Sequence, residues 1–452
     1  MGFQLNEVNI EIFFKTGYQL KGPVFLRKIL KKERNILKIM KIFSQKRHTI
    51  EERKKERNRM EKIRYFDHAA TTAVKEEVVK EMLPFFGIHY GNASSLYCIG
   101  RISKRAVEQA RSQVAKAIGA KTKEIYFTSC GSESDNLAIK GVCRAYKETG
   151  KNHIITTKIE HPAVLHTCQS LERDGYKVTY LNVDKEGMIS LEELEDAVSP
   201  NTVLISIMAA NNEVGSIQPI EQIGLIAKKH QVLFHTDAVQ AIGNMKINVE
   251  NMNIDLLSLS AHKFYGPKGM GALYVKKGVE FDKIQDGGHQ ENDKRAGTEN
   301  VAGIVGLGKA IEIADQAIEV YNPKLSKLRD YYIQRVEKEI PYVKLNGHRE
   351  KRLPGNANIS FRFIEGEALL LNLDEKGICA SSGSACSSGS TNPSHVLVAL
   401  GLPQEWGKGA LRVTLGEENT LEDIDYLVDA LKEIVSNLRE LSPEYKEYRR
   451  KV

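Results

Sequence analysis

Between residues 124 and 260 one pattern recurs: a short apolar run stops at a polar residue, and a segment with helical spacing follows. Residues 124–128 run into Ser129-Cys-Gly-Ser132, residues 153–156 into Glu160-His161-Pro162, and residues 203–208 into Asn211-Asn212-Glu213. Residues 232–236 end at Asp237, and residues 254–259 end at Ser260-Ala-His262-Lys263. A run that is apolar without alternation is a strand buried on both faces, as in a parallel sheet covered by helices. The fold class that follows is α/β. Strands of such a sheet point the same way, so their carboxyl ends share one edge, and open α/β sheets take their ligands there. Ser132, His161, Asn212, Asp237 and Lys263 are all delivered to that edge.

Each of these residues has two readings. Lys263 precedes Gly266-Pro267 and Gly269, which force a turn. Walled in by apolar residues, its ammonium loses hydration and the free amine becomes a nucleophile able to form a Schiff base with an aldehyde. A surface lysine after a strand has the same pattern. Gly131 and Ser132 sit between a strand and a helix N-terminus, where backbone N–H groups and the helix dipole suit a phosphate, although most such turns are structural. His161 is either a loop residue before proline or an imidazole stacked on a planar ring. Asp237 either caps the next helix or pairs with a protonated ring nitrogen. As a set they answer a phosphate, a ring face, a substrate carboxylate, a pyridinium and an aldehyde, and pyridoxal 5′-phosphate has or demands each of these.

Elsewhere the spacing predicts helices over 75–86, over 102–118 with Gly119 as the stop, and over 135–146. Residues 287–300 read as a polar loop. A long helix over 302–340 is expected to be interrupted at Asn322-Pro323. A change of composition near 320 suggests a second unit, with strands at 358–363 and 410–414 and helices at 367–373 and 421–438. The lone Trp406 reads as packing.

Residues 381–390 hold six serines and two glycines around Cys386. Nothing in that run can anchor to a core, so the expectation is a flexible tether that presents a reactive thiolate; a plain linker has the same composition. Asn392-Pro393 reads as cap and first position of a helix that stops at Gly401. Cys379, beside Ile378, reads as a buried strand residue, and a Cys379–Cys386 disulfide is an open alternative.

The formal charge of +7 is confined to the leader. Residues 1–60 hold 16 Lys/Arg against 6 Asp/Glu, whereas residues 61–452 hold 49 against 52. The body is mildly acidic and nothing in it calls for nucleic acid. No apolar run approaches the roughly 20 residues needed to span a bilayer. Six cysteines show neither a CxxC pair nor zinc spacing. Without a signal-peptide pattern they read as reduced thiols of a cytoplasmic protein, and no metal site is expected. Two basic apolar segments, 23–30 and 36–43, have the spacing of short amphipathic helices suited to a membrane surface or to transit. One serine and six glutamates in that stretch argue against transit. Lys55-Glu-Arg-Asn-Arg59 can be encoded by a purine-rich stretch of the kind that precedes a start codon, and Met60 follows. Residues 1–59 are therefore expected to be a poorly ordered basic extension or no part of the natural protein.

The motifs Ser260-Ala-His-Lys-Phe-Tyr-Gly-Pro-Lys-Gly269, Arg295-Ala-Gly-Thr-Glu-Asn300 and Ser381-Ser-Gly-Ser-Ala-Cys386 occur in this order. Over about 61–445 the chain resembles the NifS/IscS-type cysteine desulfurases of aminotransferase class V. The resemblance implies the type I fold of pyridoxal-phosphate transferases: a large domain, 73–320, around a mainly parallel seven-stranded sheet, and a smaller α+β domain. The smaller domain would comprise 60–72 and 321–452 and carry the mobile cysteine loop 381–394. It implies that Lys263 binds the cofactor, that Asp237 pairs with its ring nitrogen, that Gln240 meets the ring hydroxyl, and that His161 stacks and shuttles protons. Ser132, Ser260 and His262 would hold the phosphate, joined by Thr298 from the second subunit of a homodimer. Asn212 and Arg412 would hold the carboxylate of L-cysteine, although Arg412 also reads as a surface ion pair. Cys386 would carry the sulfur as a persulfide toward an iron–sulfur scaffold or another acceptor. Ala93, His289 and Asp293 depart from that family's pattern. Other readings are a selenocysteine lyase, another class V lyase or aminotransferase, and a non-catalytic scaffold.

Overall fold

The computed structural model describes residues 63–382 and 393–451. The basic leader and Cys386, and with it any Cys379–Cys386 bridge, lie outside the described residues. In chain order the strands are β1 (Arg64–Tyr65), β2 (Ile125–Thr128), β3 (His153–Thr157), β4 (Lys177–Leu181), β5 (Thr202–Ser206), β6 (Leu233–Asp237), β7 (Leu256–Ser260) and β8 (Gly271–Val275). They continue with β9 (Val343–Asn346), β10 (Asn356–Phe361), β11 (Ile378–Cys379) and β12 (Ala410–Thr414).

Seven of them form one sheet in the order β2-β8-β7-β6-β5-β3-β4. The contacts from β7 through β6, β5 and β3 to β4 are parallel, and β8 alone is reversed against both of its neighbours. Every residue of β3, β5, β7 and β8 is buried, the signature of strands covered on both faces. One core unites Ile155, Ile205, Phe234 and Leu257 of the sheet with Val107, Val114 and Ile118 of the helix Cys98–Ile118. Those three helical positions recur at the spacing that lines one face. Gly119, at φ +70°, ends that helix as the sequence predicts. A second core joins Phe66, Leu328, Tyr332, Ile359, Phe361, Leu411 and Leu431 around the antiparallel sheet β12-β10-β9. Among the described residues no helix is long and apolar enough to cross a membrane.

Four local expectations change. The helix after β2 begins at Gly131, not at residue 135. Glu133 accepts hydrogen bonds from the Ser129 amide (2.7 Å) and hydroxyl, so an acid in the first turn organises the small residues into helix. The long helix runs unbroken from Val301 to Glu339 through Pro323. A proline inside a helix costs about 3 kcal/mol, but this helix is held at both ends: Ile304, Leu307 and Ile311 lie in the first core, and Leu325, Leu328, Tyr332 and Val336 in the second. The helix after residue 393 spans His395–Ala399, and its cap is Ser394, whose hydroxyl accepts from the Val396 amide. The polar stretch 287–300 contains the short turn Gln290–Asp293, in which Glu291, Asn292 and Asp293 all have positive φ. Cys379 is half-buried, and Trp406 packs beside Val396, Leu397 and Leu400.

Candidate active site

Because only β8 is reversed, the carboxyl ends of β2, β3, β5, β6 and β7 meet at one edge. Gly131, Ser132, His161, Asn212, Asp237, Gln240, Ser260, His262, Lys263 and Arg412 line a single cavity of about 310 Å³ there. Two expected residues are not among them. Thr298 is exposed and lies off the cavity lining, and Cys386 falls outside the described residues.

Lys263 ends a short 3-10 turn, Ala261–Lys263, that follows β7 directly. Its Nζ donates to the carbonyls of Ala69 (2.5 Å) and Ala70 (2.8 Å). The walls around the amine are therefore not apolar: the segment after β1 lies across the sheet edge and offers its backbone. Gln240 Nε2 donates to the same Ala69 carbonyl (3.0 Å). Tyr265, two residues on, is held at φ +62° while its amide donates to Thr72 Oγ1 (2.8 Å). That left-handed position costs backbone strain and keeps the lysine turn tight against residues 69–72.

Asp237 closes β6, and its Oδ1 accepts from the Val239 amide (2.9 Å). No helix follows β6 directly, so the expected helix cap is a turn cap instead, and this bond fixes the carboxyl in the cavity wall. Burial pushes its pKa up, while His161, the Val239 amide and Lys263 pull it down. A cationic ring nitrogen brought beside it would favour the charged form. His161 caps the helix Pro162–Arg173 by accepting the Ala163 amide on Nδ1 (3.1 Å). The neutral ring therefore carries its proton on Nε2. Burial lowers its pKa against the pull of Asp237, which favours the neutral imidazole.

The Ser260 hydroxyl, in the same lining, is buried without a hydrogen-bond partner. It lies beside the N-terminus of Gly131–Ala145, whose free amides suit an anion. A Cβ on Gly131 would stand 2.6 Å from a Val239 methyl and 3.5 Å from Ser260 Cβ, so glycine keeps this corner open. His262 Nδ1 faces Thr71 Oγ1 (3.1 Å), and burial pushes its pKa down to about 4. An orphaned hydroxyl beside a helix N-terminus, a buried carboxyl and a lysine amine in one cavity fit pyridoxal 5′-phosphate.

Arg412 is a buried ion pair rather than a surface one. It is 2% exposed, with Nη2 2.8 Å from Asp67 Oδ1 and Nη1 3.1 Å from the Asn212 carbonyl. Its Nε is buried and has no partner. Reading the sequence missed Asp67, and it missed three buried acids. Asp135 and Glu213 line the cavity, and both have raised pKa values, chiefly from burial. Glu160 accepts from Thr157 Oγ1 and the Met208 amide, and burial pushes it up to about 8. His395, a further lining residue, faces the Glu160 carbonyl through Nε2 (3.0 Å). Glu160 adjoins His161 and Glu213 adjoins Asn212, the only signal the strand pattern held for them, and Asp135 lies three residues past Ser132.

The profile of the aminotransferase class V family matches residues 64–427. A cysteine desulfurase IscS of Clostridium botulinum is 56% identical over 391 residues, covering 86% of this chain and 98% of that protein. The IscS of Methanosarcina thermophila is 57% identical over 386 residues, covering 85% and 95%. Among solved structures, a NifS-like protein superposes with a TM-score of 0.79 at 41% identity, covering 83% of this chain and all of that one. SspA in complex with cysteine superposes with a TM-score of 0.68 at 38% identity, covering 78% and 98%. With its lysine, aspartate and histidine around one cavity at the sheet edge, this chain belongs to the aminotransferase class V family.

Proposed function

We propose that this protein is a pyridoxal 5′-phosphate-dependent cysteine desulfurase that takes sulfur from L-cysteine, leaves L-alanine and carries the sulfur as a persulfide on Cys386. The observation that carries the reading is one cavity holding the Lys263 amine, the Asp237 carboxyl, the His161 ring and the orphaned Ser260 hydroxyl, with Arg412 in its wall. Relatives at 56–57% identity named cysteine desulfurase support it.

When bound, the cofactor supplies an electron sink that weakens bonds at the substrate's α-carbon and, through it, the bond to sulfur. Lys263 would hold the cofactor's aldehyde, and its amine is the group placed to take the proton from the α-carbon. His161 Nε2 is the nitrogen turned to exchange a proton, since Nδ1 is engaged by Ala163. Asp237 keeps the ring nitrogen protonated, and Gln240 meets the ring hydroxyl. Ser132, Ser260 and His262 hold the phosphate, and Thr298, exposed on its own chain, serves the cavity of a second copy. Arg412 and Asn212 hold the substrate carboxylate. The Cys386 thiolate bonds to the substrate sulfur as the carbon–sulfur bond breaks, and the carbon takes up a proton. Both borders of the segment that bears Cys386 meet this site: Ser381 exchanges backbone hydrogen bonds with Arg412, and His395 faces the Glu160 carbonyl.

Two buried cores, one largely before residue 320 and one largely after it, support a large domain over 73–320 and a small one over 60–72 and 321–452. The protein acts as a cytoplasmic homodimer and passes sulfur to an iron–sulfur scaffold or another acceptor. Incubation of the purified holoenzyme with L-cysteine is the test. Equal yields of alanine and sulfur, with a mass increase of one sulfur on Cys386, are expected. Alanine formed from selenocysteine and not from cysteine would replace this reading with a selenocysteine lyase, and alanine from neither would end it.

A further inference from the structure

Glu213 lies in the same cavity wall as Asn212, His395 and Arg412, yet none of the roles above uses it. It is 1% exposed, and its main chain is held at both ends. The amide donates to Asn211 Oδ1 (2.9 Å), and the carbonyl accepts from Asn358 Nδ2 (3.2 Å) and Asn356 Nδ2 (3.5 Å). The carboxyl is shared with the Ser394 hydroxyl, but Oε2 is buried and has no hydrogen-bond partner. Arg412, which lines the same cavity, likewise has its Nε buried without a hydrogen-bond partner. Leaving such atoms without partners is costly, and a ligand that meets them recovers the loss.

A small amino acid in this cavity has three polar substituents to satisfy. Its carboxylate has Arg412 and Asn212, and its amino group lies toward Lys263. Its side chain would meet the wall that holds Glu213 and His395, because Glu213 follows Asn212 in the chain and its carboxyl feels the charges of His395 and Arg412. His395 already faces the Glu160 carbonyl through Nε2, so the unsatisfied group there is Glu213 Oε2. Burial raises the pKa of this carboxyl, opposed by Ser394, His395 and Arg412. In either protonation state a carboxyl serves a thiol, accepting its S–H when ionised and having an O–H to donate as well when neutral, and it suits no methyl group.

We propose that Glu213 is the residue that recognises the substrate's thiol, hydrogen-bonding the sulfur of L-cysteine and thereby setting the preference for cysteine over amino acids that end in an apolar carbon. The proposal rests on L-cysteine being the substrate. The test uses holoenzyme carrying Cys386→Ala, so that cysteine binds without turnover. Dissociation constants for L-cysteine and for its methyl isostere L-2-aminobutyrate are read from the shift of the bound cofactor's absorbance.

Adding Glu213→Met should weaken L-cysteine about tenfold, the worth of one hydrogen bond, and leave L-2-aminobutyrate within about twofold. Glu213→Gln, which keeps a donor and an acceptor, should retain most of the preference. If the Met variant does not fold, Glu213→Asp, which withdraws the carboxyl by about one bond length, should show the same selective loss. Equal weakening of both ligands, or an unchanged preference, overturns the proposal alone. A parent holoenzyme that does not respond to L-cysteine overturns the substrate assignment and the proposal together.

Discussion

Arg412 and Asp67 lie 345 positions apart in the chain, yet Nη2 of one stands 2.8 Å from Oδ1 of the other beneath the candidate active site. The pair joins the segment after β1 to the middle of β12. It also occupies part of the guanidinium assigned to the substrate carboxylate, leaving Nε unpaired.

Removing Asp67 separates the two roles of this pair. Asp67→Ala leaves a buried cation uncompensated and is expected to cost roughly 3–5 kcal/mol in urea unfolding of the ligand-free protein. Saturating L-alanine brings a carboxylate back to Arg412, so the ligand should raise the Tm of the variant by more than it raises that of the parent.

Ser260→Ala has effects of opposite sign with and without cofactor. In the cofactor-free protein it deletes a buried hydroxyl that has no partner, so stability should stay level or rise by up to about 1–3 kcal/mol. In the holoenzyme it deletes a donor to the phosphate, and the cofactor's dissociation constant should rise about tenfold or more. Thermal melts and fluorescence titration of the cofactor read the two effects separately.

Glu160 makes stability depend on pH. Its folded pKa is pushed up to about 8 by burial, from an ordinary value of 4.5. Between those values the folded chain keeps a proton that the unfolded chain has released. Stability should therefore fall as pH rises through this window, by about 1.4 kcal/mol per unit from this one group, and level off above it. Glu160→Gln, a mimic of the neutral acid, should remove that part of the slope in urea unfolding of cofactor-free protein over about three units, from pH 5 to pH 8.

The turn that precedes Thr298 is pinned by Glu291, whose carboxylate takes Arg111 bidentately (2.6 and 2.8 Å) and also accepts the Phe127 amide (2.8 Å). Both side chains are nearly buried, at 10% and 4% exposure. Glu291→Ala should cost roughly 3–5 kcal/mol, whereas the double variant Arg111→Met, Glu291→Leu should regain most of it, because two apolar groups leave no buried charge unpaired. Equilibrium unfolding of the three proteins forms the cycle.

Cys386→Ala should leave cofactor content and absorbance unchanged while abolishing sulfide release from L-cysteine. Undiminished turnover would remove Cys386 from the reaction.

The strand pattern was legible because a strand covered on both faces must be apolar throughout, and a polar residue at its end can only sit at the sheet's rim. That rule found Ser132, His161, Asn212, Asp237 and Lys263 without coordinates. It misjudged the surroundings of Lys263, since the carbonyls of Ala69 and Ala70 come from a segment almost two hundred residues away in sequence. Helical spacing predicted a break at Asn322-Pro323 within the helix over 302–340, where the two cores outweigh one missing hydrogen bond.

The sequence by itself determined the α/β class, the rim of polar groups and the chemistry they can share, because apolar periodicity and residue type act locally. Only the tertiary structure decided that Arg412 is paired with Asp67, that Glu160 and Glu213 are buried acids, and that Ser260 awaits a partner. Burial and pairing depend on which distant segments arrive beside a side chain, and desolvation sets a group's charge only once they have arrived.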